Sequence, residues 1–137
     1  MNAWNWLDNQ TVRAIHLAYV SSHGGRHGVR DEQLLRTAVG APQKPRRADH
    51  RTVHDVGSSY ATNIIRHRPF IEGNDRTAML AAFTFLELND VHVSAMEEEA
   101  AIMFQALAAG EVGEAELARW LERNSVAAIS KTDVDAI

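Results

Sequence analysis

The sequence predicts a small all-α domain with a compact bundle of about six helices. A length of 137 residues is typical of one domain, and such a chain buries roughly two-thirds of its unfolded surface without disulfides or metal. Apolar residues make up 45% of the chain and charged residues 23%, which is the balance of a globular protein. Apolar residues recur at helical spacing, whereas period-2 alternation is confined to residues 90–93, where it predicts a short strand at most.

Capping residues and breakers divide the first half of the chain into three helices. The candidate caps and stops are Asp8 or Asn9, Gly24, Asp31, Gly40 and Pro42. Residues 43–51 are polar, basic and interrupted by proline, so they predict a loop. A third helix follows, because apolar residues then recur at steps of three and four, at Val53, Val56, Tyr60 and Ile64.

The second half of the chain predicts three further helices. Residues 75–89 are apolar nearly all round, which places this helix in the middle of the bundle. Ser94 and Glu97 have capping-box spacing for a helix that ends at Gly110, and residues 114–122 form an amphipathic helix. We therefore expect a single domain over residues 1–124. Residues 125–137 have no strong pattern, so we expect a C-terminal tail that frays or docks on a partner.

Composition excludes several classes of protein. The absence of cysteine excludes a disulfide scaffold, a thiolate zinc site and a cysteine nucleophile. No apolar run approaches 18 residues and the N-terminus has no signal-peptide pattern, so we expect a cytoplasmic protein without a membrane segment. Residues 1–76 contain 11 Lys and Arg against 7 Asp and Glu, whereas residues 77–137 contain 3 against 11. This asymmetry favours an anionic ligand for the basic half, although oppositely charged faces can also simply solvate the protein.

Residues 66–77, RHRPFIEGNDRT, contain the groups best suited to chemistry. Gly73 and Asn74 directly precede the central helix, whose first four backbone N–H groups have no acceptor within the helix. These donors and the positive end of the helix dipole favour a phosphate group. Glycine allows a close approach and positive φ, and the asparagine side chain adds an amide donor.

Three neighbouring residues extend this interpretation. Arg76 in the first turn opposes the helix dipole, which an anion bound there would explain. Glu72 is placed to hold a divalent cation that neutralises the same phosphate. Phe70 follows Pro69 and would pin the loop to the core. The same residues are also compatible with an ordinary turn between two helices that has an apolar anchor and surface charges.

The stretch PFIEGNDRTAMLAAFTFLELN resembles the signature and central helix of the Fic/Doc family, whose pattern is H-x-F-x-[DE]-[GA]-N-x-R. Within the family it is most similar to the death-on-curing (Doc) toxins of toxin–antitoxin modules. The upstream segment GGRHGVRDEQLLRTAVGAPQ and the downstream segment AAGEVGEAELARWL also fit, so the resemblance extends from about residue 10 to residue 124. It implies a Fic/Doc-like helical bundle.

The resemblance also implies a role for each residue that matches the motif. Phe70 would be the buried anchor, and Glu72 would bind Mg²⁺ together with the phosphates of ATP. Gly73, Asn74 and Asp75 would surround the phosphates, and Arg76 would contact them. Fic-type AMP transferases have a second arginine where this chain has Met79, which favours the Doc reaction: transfer of phosphate from ATP to a hydroxyl of a translation factor.

The sequence departs from the motif at two positions. Arg68 occupies the position of the family's histidine, the implied general base, and arginine stays protonated at a pKa above about 12. His67 is one residue early, which on a helix means a rotation of about 100° towards another face. Asp75 stands where the Doc pattern usually has lysine, and its carboxylate would repel phosphate. Three explanations remain open: a naturally degenerate member that binds without catalysis, an inactivated variant, or recruitment of His67 through a shifted loop.

The resemblance predicts a Doc-like toxin that modifies a translation factor, with elongation factor Tu the leading candidate, and so arrests translation. A cognate antitoxin would neutralise it, because we find no internal inhibitory helix of the Fic type. Arg68 predicts that this chain is impaired. The alternatives are a catalytically silent binding module with the same fold, or an AMP transferase of the Fic type.

Other polar and aromatic residues have weaker functional signals. A basic loop could clamp a substrate chain or simply be solvated; its cations and histidine are Lys44, Arg46, Arg47, His50 and Arg51. No aromatic residue alternates with these cations, so we expect no direct nucleic-acid partner. His16 lies on an apolar stripe and predicts a packing role. His23 and His27 have no further metal ligands at a suitable spacing in the sequence. Trp4 and Trp6 are expected to anchor the core or an interface.

Overall fold

Six α-helices and two short strands make up the computed structural model, which describes residues 4–44 and 50–128. The helices are α1 Asn9–His23, α2 Glu32–Gly40, α3 Val53–His67, α4 Asn74–Leu88, α5 Glu97–Ala108 and α6 Glu114–Arg123. Strand β1, Val91–Val93, pairs antiparallel with β2, Ser125–Ala127, and one turn of 3-10 helix follows α2 at Ala41–Gln43. This architecture confirms the predicted all-α fold of about six helices.

Side-chain caps explain where the first three helices begin. The Asp8 carboxylate accepts a hydrogen bond from the backbone N–H of Thr11 at 2.8 Å, and this bond lowers the pKa of Asp8 below its usual value. Asp31 caps α2 in the same way. At α3 the cap is reciprocal: the Asp55 amide donates to the Thr52 hydroxyl, and the Thr52 amide donates to the Asp55 carboxylate.

The predicted capping box of Ser94 and Glu97 is wrong. Helix α5 begins after Met96, and no side chain caps it. Ser94 instead donates twice to the carbonyl oxygen of Asn124, through its backbone N–H at 2.7 Å and its hydroxyl at 3.3 Å. The serine is therefore used to join the entrance of α5 to the end of α6, a tertiary contact that local spacing does not reveal.

Helix α3 shares the centre of the bundle with α4. The sequence places α4 in the interior, and α4 does pack against α1, α3 and α5. However, nine consecutive residues of α3, from Val56 to Ile64, are also buried. Its polar side chains obscure this burial in the sequence. Two of them have partners inside the protein: Ser58 donates to the Glu114 carbonyl, and Asn63 donates to the Ser59 carbonyl.

The two strands extend the fold beyond α6. Residues 91–93 form the short strand that their alternation predicts, and His92 lies opposite Val126 in β2. The predicted tail therefore begins with three residues in a strand, and residues 129–137 lie outside the described part of the chain. At the other end, Trp4 and Trp6 pack against the core. Among the described residues, no helix combines the length and the apolar character that a membrane crossing requires.

Candidate functional site

The loop between α3 and α4 passes twice through the left-handed region of backbone conformation. Arg68 has φ 45° and ψ 60° at the end of α3, and its amide donates to the Ile64 carbonyl at 2.9 Å. Gly73 has φ 80° and ψ 17° directly before α4. Between them Phe70 is buried, with 1% of its surface exposed. The two reversals bring the first turn of α4 next to the last turn of α3.

Arg30 fixes the end of α3 from a distant part of the chain. Its Nε donates to the carbonyl of Arg68 and its terminal nitrogen to the carbonyl of His67, both at 2.8 Å. The last carbonyl groups of a helix receive no hydrogen bond from within the helix, so the Arg30 guanidinium caps them. A further bond joins the Ile71 amide to the Gly28 carbonyl. No local pattern in the sequence points to Arg30, because its partners Arg68 and His67 are 38 and 37 residues away.

The Asn74 side chain closes the loop onto itself. Its Oδ1 accepts from the Phe70 amide and its Nδ2 donates to the Phe70 carbonyl, both at 2.9 Å. The residue is 3% exposed. This geometry corrects the expectation that the Asn74 amide group serves a ligand, because both polar atoms of the side chain are used inside the loop. Only the backbone N–H of Asn74 remains available.

His16 supports the same loop from α1. Its ring stacks on Phe70 with the centroids 3.9 Å apart and the planes 7° from parallel. Its Nε2 lies 2.8 Å from the carbonyl oxygen of Glu72, which can only accept, so this nitrogen carries the proton. The predicted packing role of His16 is confirmed, and its packing partner is the loop that precedes α4.

An open cavity lies at the N-terminus of α4. It has a volume of about 260 Å³ and is bounded by α1, the loop, α4 and α5. Its lining residues are Tyr19, Arg68, Gly73, Asn74, Asp75, Arg76, Met79, Ala101, Phe104 and Gln105. Pockets that enclose a drug-sized ligand have roughly 300–1,000 Å³. The cavity therefore suits a small anion or the phosphate end of a nucleotide, with the remainder of the nucleotide outside.

The first three residues of α4 all line the cavity. Within the described residues, the N–H groups of Asn74, Asp75 and Arg76 have no acceptor, and no side chain caps the helix. The fourth amide, that of Thr77, donates to the Gly73 carbonyl at 3.0 Å. Three unpaired donors together with the positive end of the helix dipole provide an environment that favours an anion.

Arg76 stands at the edge of the cavity between α1 and α5. Its guanidinium carbon lies 5.7 Å from the centre of the Tyr19 ring, and a terminal nitrogen lies 3.9 Å from a carboxylate oxygen of Glu97. A cation in the first turn of a helix is unfavourable with respect to the dipole. The aromatic face and the carboxylate offset this cost and hold the charge beside the open amides.

Arg68 and Asp75, the two residues expected to depart from the family motif, contact each other. Arg68 Nη1 lies 3.1 Å from Asp75 Oδ1, and both side chains are about half exposed. Both residues line the cavity. No histidine from the described residues does so, and the structure does not bring His67 to the lining; the carbonyl of His67 is bound by Arg30 instead.

Glu72 is adjacent to the cavity but does not line it. One carboxylate oxygen accepts from the Arg26 amide at 2.8 Å, and the side chain is exposed. Among residues 4–44 and 50–128, no group of three or more His, Asp or Glu residues lies close enough together to hold a metal ion. Mg²⁺ often takes only one or two protein carboxylates and completes its shell with phosphate and water. Among the described residues there is therefore no preformed metal site, and a metal at Glu72 would have to arrive with a nucleotide.

None of the other candidate residues that the structure describes lines the cavity. Arg46 and Arg47 of the basic loop fall outside the described residues, and Arg51 donates to the Pro42 carbonyl at 2.8 Å. His23 stacks on Tyr19, with the ring centroids 4.6 Å apart.

Tyr19, Ala101, Phe104 and Gln105 were not expected at the site. The last three share one face of α5 at helical spacing, but only the tertiary structure shows that this face borders the cavity.

Comparison with known proteins indicates the family of this chain. A family model described as "Fic/DOC family" matches residues 6–86, which include α1 to α3, the loop and most of α4. A protein named "Toxin Doc" from Mycolicibacterium smegmatis is 35% identical over 74 residues. The matched segment covers 53% of this chain and 57% of that relative, so the similarity spans little more than half of either protein. The family match covers more than half of the chain and contains the entire loop before α4, and the chain belongs to the Fic/Doc family.

Proposed function

We propose that the cavity at α4 binds the phosphates of ATP and that the protein is a Doc-like toxin of the phosphotransferase type. The observation that supports this most directly is the meeting of three unpaired amides with Arg76 in one open cavity. Glu72 would hold Mg²⁺ with the nucleotide, and the metal would neutralise phosphate charge. The target would be a hydroxyl of a translation factor in the cytoplasm, with elongation factor Tu the leading candidate. The name of the relative supports a cognate antitoxin as partner.

The proposed reaction needs a general base, and Arg68 occupies the position where the family resemblance expects one. The target oxygen forms a bond to the γ-phosphorus, the bond from that phosphorus to the bridging oxygen breaks, and ADP leaves. The hydroxyl proton must pass to a base within about 3 Å. Arg68 cannot accept it, because guanidinium remains protonated. Since no described histidine lines the cavity, we expect nucleotide binding to persist and transfer to be impaired in this chain.

Binding of ATP tests the first half of the proposal. We expect the unmodified chain to bind ATP with Mg²⁺ in isothermal titration calorimetry. Arg76→Gln should weaken this binding about tenfold or more, because a charged donor to phosphate contributes roughly 1.5–3 kcal/mol. Arg119→Gln is the matched control, since Arg119 is exposed on α6 and does not line the cavity. Equal affinities of both variants would place ATP elsewhere, and a lack of binding by every form would refute the proposal.

Restoring the histidine tests the second half. We expect Arg68→His to gain transfer of label from γ-labelled ATP to elongation factor Tu and to arrest growth on expression, while the unmodified chain does neither. Transfer from α-labelled ATP would instead show AMP transfer. Loss of activity in His67→Ala, if the unmodified chain is active, would support the shifted histidine. A catalytically silent binding module is the second candidate function, because Arg68 occupies the position of the expected base. It would be favoured if the Arg68→His protein binds ATP and transfers nothing to any target.

A further inference from the structure

Arg68 and Asp75 both line the cavity but belong to different elements. Arg68 projects from the end of α3 and Asp75 from the first turn of α4, and their charged groups meet at 3.1 Å. The pair therefore lies beside the three unpaired amides of residues 74–76. Arg76, the other cation of the cavity lining, is directed towards Tyr19 and Glu97.

The pair is held weakly enough to be exchanged. The Arg68 side chain is 54% exposed and that of Asp75 49%, and ion pairs of this kind contribute little to stability because water screens them. A phosphate group has more charge than a carboxylate and accepts several charge-assisted hydrogen bonds, often two from one guanidinium. The backbone of Arg68 is also fixed, because its amide is bound by Ile64 and its carbonyl by Arg30. Only the side chain has to turn.

We propose that the Arg68–Asp75 ion pair is an exchangeable latch on the cavity. A phosphate group that enters the cavity displaces the Asp75 carboxylate from Arg68, and Arg68 then binds that phosphate from the side opposite Arg76. Asp75 acts as an internal competitor that lowers the affinity for anions. This inference depends on the proposed function, because it assumes that the cavity receives nucleotide phosphates.

The latch predicts opposite effects for its two halves. Asp75→Asn removes the competitor and should tighten ATP binding about threefold or more, in line with the modest strength of exposed ion pairs. Arg68→Gln removes a phosphate ligand and should weaken ATP binding. The Arg68→Gln effect should be larger in the Asp75→Asn background, because no ion pair then has to be broken before Arg68 can act. Calorimetric titration with ATP and Mg²⁺ of the four proteins in this cycle measures these effects.

A matched control separates the latch from a general change of charge. Glu32→Gln removes the carboxylate from another exposed ion pair, Arg13–Glu32, which does not line the cavity, and changes net charge by the same amount. The latch is supported if Asp75→Asn tightens ATP binding and Glu32→Gln does not. The latch is overturned if Asp75→Asn and Glu32→Gln bind ATP with the same affinity, or if Arg68→Gln binds ATP as tightly as the unmodified chain. Either result leaves the proposed function standing. Absence of ATP binding in all of these proteins would overturn both.

Discussion

At the scale of single residues, Asn74 has two tasks that the motif alone does not separate. Its side chain holds the Phe70 backbone in both directions, and its own backbone N–H faces the cavity. The geometry of the anion site therefore depends on an amide side chain that never needs to contact the anion. This explains why an asparagine suits the position, since aspartate lacks a donor for the Phe70 carbonyl.

Asn74→Ala should destabilise the protein and also weaken ATP binding. The substitution leaves the buried Phe70 amide and carbonyl without partners, which costs roughly 1–3 kcal/mol, and it releases the loop before α4. Chemical denaturation measures the stability, and calorimetry measures the affinity.

Asn63→Ala is the matched control, because Asn63 is also buried and donates to a backbone carbonyl, but in the middle of α3. We expect comparable destabilisation with unchanged ATP affinity. If both variants lose ATP affinity equally, the effect of Asn74→Ala is one of general stability. The proposed role of the Asn74–Phe70 hydrogen bonds in ATP binding is then refuted.

At the scale of elements, Gly73 decides how α4 begins. Its φ of 80° sets the direction in which the chain enters α4, whose first three backbone amides have no acceptor among the described residues. A β-carbon at this position would meet His16 at 3.6 Å, an ordinary contact, so the backbone conformation and not the available space requires glycine.

Gly73→Ala is expected to cost about 1–2 kcal/mol of stability, the strain of a left-handed residue with a side chain, and to weaken ATP binding as the helix start relaxes. Gly110→Ala provides the comparison, because Gly110 has φ 77° after α5 and a β-carbon there meets nothing within 4 Å. Thermal unfolding should show similar losses for both variants. The proposed role of the Gly73 backbone conformation in ATP binding is wrong if Gly73→Ala and Gly110→Ala bind ATP with the same affinity.

At the scale of the whole molecule, Tyr60 ties the N-terminal segment to the centre of the bundle. Its hydroxyl oxygen accepts from the Leu7 amide at 2.9 Å, and the residue is completely buried. Burial raises the pKa of Tyr60 to about 12, because a phenolate would lose its hydration, and the charge of Asp8 acts in the same direction.

This pKa predicts a loss of stability in alkaline solution. The folded state holds the Tyr60 proton to about pH 12, whereas the unfolded chain releases it near pH 10. The corresponding stability is therefore complete below about pH 10 and is lost as the pH rises towards 12. Tyr60→Phe has no such proton, so its free energy of unfolding should fall less steeply over this interval. Denaturant titrations at several pH values measure both proteins, and parallel curves would contradict the assignment.

The sequence predicts the helices well and their contacts poorly. The bounds of α1 to α4 follow from caps, glycines and apolar spacing, which are local features of the chain. The start of α5 was predicted wrongly because the decisive partner of Ser94 is Asn124, 30 residues away. The burial of α3 was missed because its polar side chains resemble those of a solvated helix, and the partner of Ser58, the Glu114 carbonyl, is 56 residues away.

The candidate site divides along the same line. The sequence by itself determined that a glycine–asparagine turn precedes an apolar helix and that an arginine follows in its first turn. The departure of Arg68 and Asp75 from a Fic/Doc-like motif stays a prediction. Only the tertiary structure decided that these two residues form an ion pair on one cavity, that Arg30 and His16 hold the loop, and that α5 supplies a wall. The physical reason is distance along the chain: caps and helical spacing act within a few residues, whereas a cavity is made by surfaces that meet only when the bundle packs.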